Sequence, residues 1–129
     1  MSARHEKSSL DLADCPCAGG TLDRLIRPAI LVVLAEGPVH GYRLADQIGQ
    51  MPMFANAKPD GSGVYRFLKA MESKGLVTSS WDTSQSGPAR KTYEITDAGK
   101  DCLREWVKTL EDYRTGLNAL LKAARKAAE

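Results

Sequence analysis

The stretch Gly63–Thr96, GVYRFLKAMESKGLVTSSWDTSQSGPARKTYEIT, decides the fold because its periodicity changes from that of a helix to that of strands. Apolar side chains recur at helical spacing in its first part: Val64, Phe67, Leu68 and Met71. Gly75 suits the left-handed conformation that ends many helices, with Leu76 folding back as an apolar contact. Strands over Leu76–Trp81 and Arg90–Ile95 then flank a loop of small and polar residues. The stretch therefore predicts a helix followed directly by a hairpin.

Two further helices precede this unit. The segment 21–37, TLDRLIRPAILVVLAEG, has apolar residues at helical spacing and predicts a helix with a broad apolar face. Pro28 leaves two alternatives, because the helix either kinks there or begins near Arg27 with the proline in its first turn. The segment 40–49, HGYRLADQIG, predicts about two more helical turns. Residues 50–63 are predicted to form a loop because Pro, Gly and Asn are frequent in them.

A long final helix is predicted after Thr96, whose side-chain oxygen can accept hydrogen bonds from unpaired backbone N–H groups. Apolar residues in this helix recur with alternating spacings of three and four over about three heptads. They are Leu103, Trp106, Leu110, Tyr113, Leu117, Leu120 and Ala124. The pattern is typical of a helix that pairs with another helix, so a dimer interface is expected along it.

The predicted order of elements is three helices, two strands and a long helix. This order describes a winged helix-turn-helix, a mainly α fold with a two-stranded β wing (α+β class) and a long C-terminal dimerisation helix. The chain divides into three segments on this basis. Residues 1–20 form an N-terminal arm with a C-x-C motif, residues 21–96 a winged-helix DNA-binding domain, and residues 97–129 the dimerisation helix.

The composition sets limits on function. The chain has 129 residues and a formal net charge of +2, which leaves nucleic acid open as a partner because the local placement of charge matters more than the sum. No apolar run approaches the ~18 residues of a membrane span, and the N-terminus lacks a secretory signal. A cytoplasmic protein without a membrane partner is therefore expected. No catalytic motif is present in the sequence, and an enzyme is not expected.

Three strings together resemble the PadR family of transcriptional regulators. They are ILVVLAEGPVHGYRLADQI at 30–48, GVYRFLKAMESKGLV at 63–77 and GPARKTYEITDAGKDCLREW at 87–106. The resemblance implies a winged-helix protein that binds double-stranded operator DNA as a homodimer, most often as a repressor, with the last helix driving dimerisation. It also implies that a small aromatic or amphipathic effector can bind between the subunits. Two features depart from the family pattern: Gly63 stands where a hydroxyl residue is frequent, and the string DCPCAGG is not part of it.

The side of the third helix opposite its apolar stripe is the main candidate for DNA contact. Arg66 can read a guanine edge and Lys69 can hold a phosphate, whereas the alternative interpretation is a solvated charged face. Arg90 and Lys91, at the base of the loop between the two strands, add charge-assisted contacts to phosphates. Tyr42, next to His40 and Gly41, reaches a phosphate in one interpretation and is structural in the other. The predicted DNA-binding residues are Ser62, Gly63, Tyr65, Arg66, Lys69, Tyr42, Arg90 and Lys91.

Trp106 and Tyr113 lie seven residues apart on the stripe of the last helix. One interpretation places both side chains in the core of a dimer interface. The other follows from the resemblance and places a flat aromatic ligand between two symmetry-related Trp106 rings. The two interpretations are compatible, because an aromatic interface can open into a pocket.

Cys15, Cys17 and Cys102 are an odd number of cysteines, and a disulfide framework is not expected. The spacing of Cys15 and Cys17 is tighter than the C-x-x-C of a zinc knuckle. Three interpretations stay open. The thiols bind a metal, with or without His5 or His40; they form a redox switch; or they are inert. DNA binding itself requires no cofactor.

The sequence as a whole predicts a regulator that binds a pseudo-palindromic operator and is released by a small ligand or by a metal or redox signal. Two alternatives belong to other classes of protein. One is a winged-helix module that docks onto a protein rather than onto DNA. The other is a metal- or thiol-sensing protein whose main functional site is the cysteine arm.

Overall fold

The structure, a computed structural model, describes residues 24–54, 61–83 and 87–129 of the chain. Its elements are helix α1 (Ile26–Ala35), strand β1 (Val39–His40), helix α2 (Gly41–Gly49), a 3-10 turn (Pro52–Phe54), helix α3 (Gly61–Ser73), strand β2 (Val77–Asp82), strand β3 (Arg90–Ile95) and helix α4 (Asp97–Ala128). This order confirms the predicted winged helix-turn-helix. Among the helices in the described ranges, none combines the length and the apolar character needed to cross a membrane.

Helix α1 forms the centre of the core. It begins at Ile26, so Pro28 lies in the first turn, where its missing N–H removes no hydrogen bond within the helix. The second of the two alternatives for this proline is therefore correct. Helix α1 packs against α2, α3, α4 and β3, and its Ile30 and Leu31 are completely buried. Apolar side chains of the other elements join the same cluster: Leu44, Ile48, Val64, Leu68, Met71, Val77 and Tyr93.

The segment predicted as a loop over residues 50–63 contains more structure than expected. The 3-10 turn places Phe54 in the core, where 1% of its surface is exposed. Helix α3 begins at Gly61, so Ser62 and Gly63 lie in its first turn rather than before it. This part of the loop prediction was wrong because a single aromatic residue among Pro, Asn and Lys gives no periodic signal.

The end of α3 is closed by Gly75, as predicted. Gly75 has a φ of +78°, in the left-handed region. The N–H of Leu76 donates to the carbonyl of Met71 at 3.0 Å, and the N–H of Gly75 donates to the carbonyl of Glu72 at 3.0 Å. These two bonds form a Schellman motif, which satisfies the last carbonyls of α3 and turns the chain directly into β2.

The sheet has three antiparallel strands in the order β1-β3-β2, one more than the two-stranded wing that was predicted. The hairpin of β2 and β3 matches the prediction to within a residue at each end. The additional strand pairs Val39 with Tyr93 and His40 with Thr92. Two residues are too few to show alternation, which explains why β1 could not be predicted from the sequence. It links the start of α2 to the middle of the wing.

Helix α4 begins at the predicted cap. The N–H of Gly99 donates to Oγ1 of Thr96 at 3.0 Å, and the same hydroxyl donates to the carbonyl of Gly75 at 2.6 Å. The first turns of α4 pack on the core through Cys102, Leu103 and Trp106. Residues 111–129, the projecting part of α4, are all exposed and add about 27 Å of helix that is not buried in the core.

We expect Gly99→Ala to destabilise the fold. A Cβ at this position would lie 2.2 Å from the carbonyl oxygen of Leu76 and 2.7 Å from Cγ1 of Ile95, so α4 would have to move away from the end of α3. The expected cost is about 2–3 kcal/mol in the free energy of unfolding, measured by urea denaturation. Ala98→Gly, at the exposed neighbouring position, should cost no more than about 1 kcal/mol. Equal effects of the two substitutions would contradict this account.

Candidate nucleic-acid interface

Helix α3 presents one apolar and one polar side. Val64, Leu68 and Met71 are buried, whereas Tyr65, Arg66 and Lys69 are exposed. The three exposed residues follow one another at helical spacing on the side away from the core. The structure therefore places three of the predicted DNA-binding side chains together on one accessible surface.

The start of α2 lies directly against this surface. A Cβ at Gly41 would meet the ring of Tyr65, with Cε1 at 2.6 Å and the hydroxyl oxygen at 2.7 Å. Gly41 therefore allows the aromatic ring to lie on the first turn of α2. This close approach joins the two helices of the helix-turn-helix at the end that carries Tyr42.

Tyr42 and Arg90 are brought together although they are 48 residues apart in the chain. Nη1 of Arg90 donates to the hydroxyl oxygen of Tyr42 at 2.9 Å, and the guanidinium carbon lies 5.2 Å from the centroid of the tyrosine ring. Both side chains are exposed. The loop end of the β2–β3 ladder and the start of α2 thus present one continuous polar surface.

His40 lies behind this pair. Its ring is nearly parallel to that of Tyr42, with an interplanar angle of 10° and 5.9 Å between centroids. Nδ1 is 3.1 Å from Oγ1 of Thr92, and Nε2 is 3.6 Å from Oδ2 of Asp82. The imidazole makes no cap hydrogen bond to α2. His40 therefore hydrogen-bonds to a neighbouring strand rather than capping α2.

Arg90 and Lys91 point to opposite faces of the sheet, because successive residues of a strand alternate. Nζ of Lys91 lies 5.9 Å from the ring centroid of Trp81 and 5.8 Å from that of Tyr93. The two cations that the sequence places side by side therefore do not form one charged patch. Trp81, opposite Lys91 in the register, is 66% exposed and was not among the predicted site residues. Alternation along the two strands was the signal that could have found this pair.

Tyr93 connects the wing to α3. Burial, followed by the nearby Glu72 carboxylate and then by Tyr65, raises the pKa of the Tyr93 phenol above its ordinary value of 10.0. Glu72 in turn accepts a hydrogen bond of 2.6 Å from the hydroxyl of Ser79 on β2. These contacts hold the C-terminal half of α3 against the sheet.

The predicted stripe along α4 divides into two parts. Leu103, Trp106 and Leu110 are half-buried, with the first two packed on the core of the same chain. Tyr113, Leu117 and Leu120 lie on the projecting part, where the two leucines are 61% and 64% exposed. A groove of about 450 Å³ runs along this stripe and is lined by Arg24, Leu25, Trp106, Asp112, Tyr113, Gly116, Leu117 and Leu120. Its walls are largely apolar side chains, which suit a flat aromatic molecule.

The cysteine hypothesis is tested only in part. Cys102 is a free, half-buried thiol on α4. Cys15, Cys17 and His5 lie outside the described residues. Within residues 24–54, 61–83 and 87–129, no three His, Cys, Asp or Glu side chains are grouped as a metal site would require. Metal or redox sensing at the arm therefore stays a prediction.

The helix-turn-helix of α2 and α3, followed by a hairpin and a projecting helix, defines the winged helix-turn-helix class. Residues 30–105 match the model of the PadR-like family of transcriptional regulators. The match covers more than half of the chain, and the chain belongs to this family. Its members are DNA-binding transcription factors and not enzymes.

Individual relatives agree with the family match. The chain is 31% identical over 88 residues to the negative transcriptional regulator PadR of Bacillus subtilis. The aligned residues make up 65% of this chain and 46% of the relative. The chain thus spans about half the length of that relative.

Solved structures share the fold. A PadR family transcription regulator from Clostridium difficile is 29% identical with a TM-score of 0.65, over 74% of this chain and 97% of that chain. A PadR-like regulator from Bacillus cereus is 26% identical with a TM-score of 0.68, over 79% and 96% of the two chains. Bacillus subtilis PadR in complex with operator DNA is 26% identical with a TM-score of 0.58, over 65% and 47%.

The raised pKa of Tyr93 predicts a specific loss of stability in alkali. A phenol whose pKa is higher in the folded than in the unfolded state contributes to the free energy of unfolding. This contribution is complete below a pH of about 10, the pKa in the unfolded state. This contribution is lost as the pH rises from there through the folded-state pKa. We expect the free energy of unfolding to fall less steeply above pH 10 in Tyr93→Phe than in the parent protein, as measured by urea denaturation. Identical alkaline slopes would contradict the assignment.

Proposed function

We propose that this chain is a cytoplasmic, homodimeric transcriptional regulator, a repressor, that binds a pseudo-palindromic operator through α3 and the wing. The proposal is carried by the exposed surface of Tyr65, Arg66 and Lys69, which lies beside the Tyr42–Arg90 pair. The two groups are linked by the contact of the Tyr65 ring with Gly41, the residue before Tyr42. The operator complex of the Bacillus subtilis relative supports the same use of this fold.

Helix α3 supplies the sequence-reading part of the proposed interface. An α-helix fits the major groove of B-DNA, where an arginine can donate two hydrogen bonds to the O6 and N7 atoms of guanine. Arg66 is in a position to do this, and Lys69, one turn further along, contacts phosphate as a point charge. The wing lies against the neighbouring backbone, with Arg90 and Lys91 on its two faces.

The projecting part of α4 supplies the proposed dimer contact. Its apolar side chains are exposed in the single chain, and helices in proteins gain most of their stability by packing such a face, so a partner that covers it is expected. The exposed large apolar residues of the projecting part are Tyr113, Leu117, Leu120 and Leu121. A second copy offers the same stripe, and a two-fold symmetric contact makes the two stripes self-complementary. Two α3 helices then enter major grooves about 34–36 Å apart.

The groove beside Trp106 and Tyr113 is the proposed effector site. A small aromatic molecule fits its apolar walls, and Asp112 and Arg24 offer polar groups at its edge. Such a ligand changes operator affinity only if it binds two arrangements of the dimer unequally. No contact within the described residues favours a docking module without DNA or a metal sensor over this function.

The assignment of α3 can be tested on DNA fragments that the purified protein selects from the genome of its source. We expect Arg66→Ala to weaken binding by about 10- to 100-fold and to relax preference at one base position, because a bidentate base contact is lost. Lys69→Ala should weaken binding to all fragments uniformly and lower the salt slope by about 1. Arg104→Ala, an exposed arginine on α4 paired with Asp101, is the control. Retardation that is unchanged in both α3 variants would refute the assignment.

The dimer assignment predicts that Leu117→Asp combined with Leu120→Asp produces monomers. Both side chains are exposed in the single chain, so the substitutions leave its core intact, whereas Leu110 is half-buried and less suited to this test. Burying two carboxylates in an apolar interface costs more than the helix pairing can supply. Sedimentation equilibrium measures the outcome, and Asn118→Asp, off the stripe, is the matched control. A double variant that still sediments as a dimer would show that another surface pairs.

A further inference from the structure

The contacts at the loop end of the β2–β3 ladder form a chain of side chains with Arg90 at one end and Asp82 at the other. Arg90 bonds to Tyr42, Tyr42 stacks on His40, and His40 lies against both Thr92 and Asp82. We propose that Tyr42 and Arg90 act as one preformed clamp for a single DNA phosphodiester, with His40 as its positioning residue. The proposal rests on the proposed function and names the chemistry of one part of its interface.

The hydrogen-bond directions leave donors available for a phosphate. The hydroxyl oxygen of Tyr42 accepts from Arg90, so the proton of that hydroxyl is left to donate elsewhere. The guanidinium of Arg90 has further N–H groups in the same plane, and both side chains are exposed. The two side chains together can therefore donate to two oxygens of one phosphate group, with the positive charge of the guanidinium beside it.

The clamp is held in place before DNA arrives. An exposed arginine on a wing normally samples many rotamers, and ordering it on binding costs conformational entropy. Here the guanidinium is bonded to the Tyr42 hydroxyl and lies over the tyrosine ring. The ring itself is supported by the nearly parallel His40 imidazole. Part of the ordering has therefore taken place in the free protein.

His40 is fixed from two directions. Nε2 lies 3.6 Å from Oδ2 of Asp82, and Nδ1 lies 3.1 Å from the hydroxyl of Thr92. In the tautomer with the proton on Nε2, Nδ1 accepts a hydrogen bond from that hydroxyl. Asp82 and Thr92 come from different strands, so the imidazole orientation depends on the paired hairpin. The carboxylate of Asp82, in a wing that contacts DNA, repels phosphates. Its role in orienting His40 gives a physical reason for Asp82 at this position.

The test uses a fluorescently labelled duplex of mixed sequence, about three helical turns long, because a phosphate contact does not depend on base sequence. Affinity is measured by anisotropy over a series of KCl concentrations. Arg90→Gln should weaken binding about tenfold and lower the salt slope by about 1, because one charged phosphate contact is lost. Tyr42→Phe should weaken binding about fivefold with the slope unchanged, because it removes a hydrogen bond from an uncharged donor and no cation. Arg104→Gln should match the parent protein in both measurements.

A double-mutant cycle separates positioning from direct contact. His40→Ala should weaken binding about fivefold in the parent protein and cause no further loss in the Tyr42→Phe background, since the hydroxyl that His40 positions is then absent. Additive losses would overturn the positioning role of His40. Unchanged affinity in Tyr42→Phe and Arg90→Gln, with steep salt dependence in the parent protein, would overturn the clamp alone. A parent protein that does not bind the duplex at any salt concentration would overturn the proposed function as well.

Folding is checked separately by thermal unfolding of each variant. If His40→Ala is unfolded at the assay temperature, Thr92→Val replaces it in the cycle, because it removes the hydroxyl beside Nδ1 while it keeps a β-branched residue in β3. Loss of affinity in Thr92→Val that disappears in the Tyr42→Phe background supports the proposal. The same loss in both backgrounds contradicts it.

Discussion

The close approach of α4 to the end of α3 is the constraint on which the rest of the molecule depends. Thr96 caps α4 and at the same time bonds to the carbonyl of Gly75, where α3 ends. Gly99 has no Cβ, so its backbone can pass the carbonyl oxygen of Leu76. The helix proposed to read DNA and the helix proposed to form the dimer are therefore joined by backbone contacts with little room for independent movement.

The two faces of the hairpin contact different helices, one face α3 and the other α2. One face carries Tyr93 and Lys91 and is held to α3 through the Ser79–Glu72 hydrogen bond. The other carries Thr92 and Arg90 and is held to α2 through His40 and Tyr42. Strand β1, although only two residues long, makes this second attachment possible by pairing with β3. The wing is thus attached, along the middle and the loop end of its ladder, to both helices of the helix-turn-helix.

Long, periodic elements could be predicted from the sequence, whereas contacts between distant residues could not. The stripe of α3, the left-handed Gly75 and the Thr96 cap each follow from local rules and are present in the structure. Strand β1 and the burial of Phe54 depend on tertiary packing and have no local signal. The Arg90–Tyr42 bond depends on the register of β1 on β3, which no pattern within either segment specifies. The separation of Arg90 and Lys91 onto opposite faces, by contrast, follows from alternation along β3, which the sequence does show.

The stiffness of the α3–α4 junction also determines how a signal can act. Trp106 lies on α4 about 15 Å from Thr96, and the helix runs without interruption between them. Movement of α4 and α3 together as one body is therefore one route by which a ligand in the proposed groove beside Trp106 can alter the α3 surface. In a two-fold dimer, such a movement changes the distance and angle between the two α3 helices while each interface stays internally unchanged. Operator affinity then depends on how closely this distance matches one turn of DNA. A single chain has one α3 helix, so the distance exists only in the dimer.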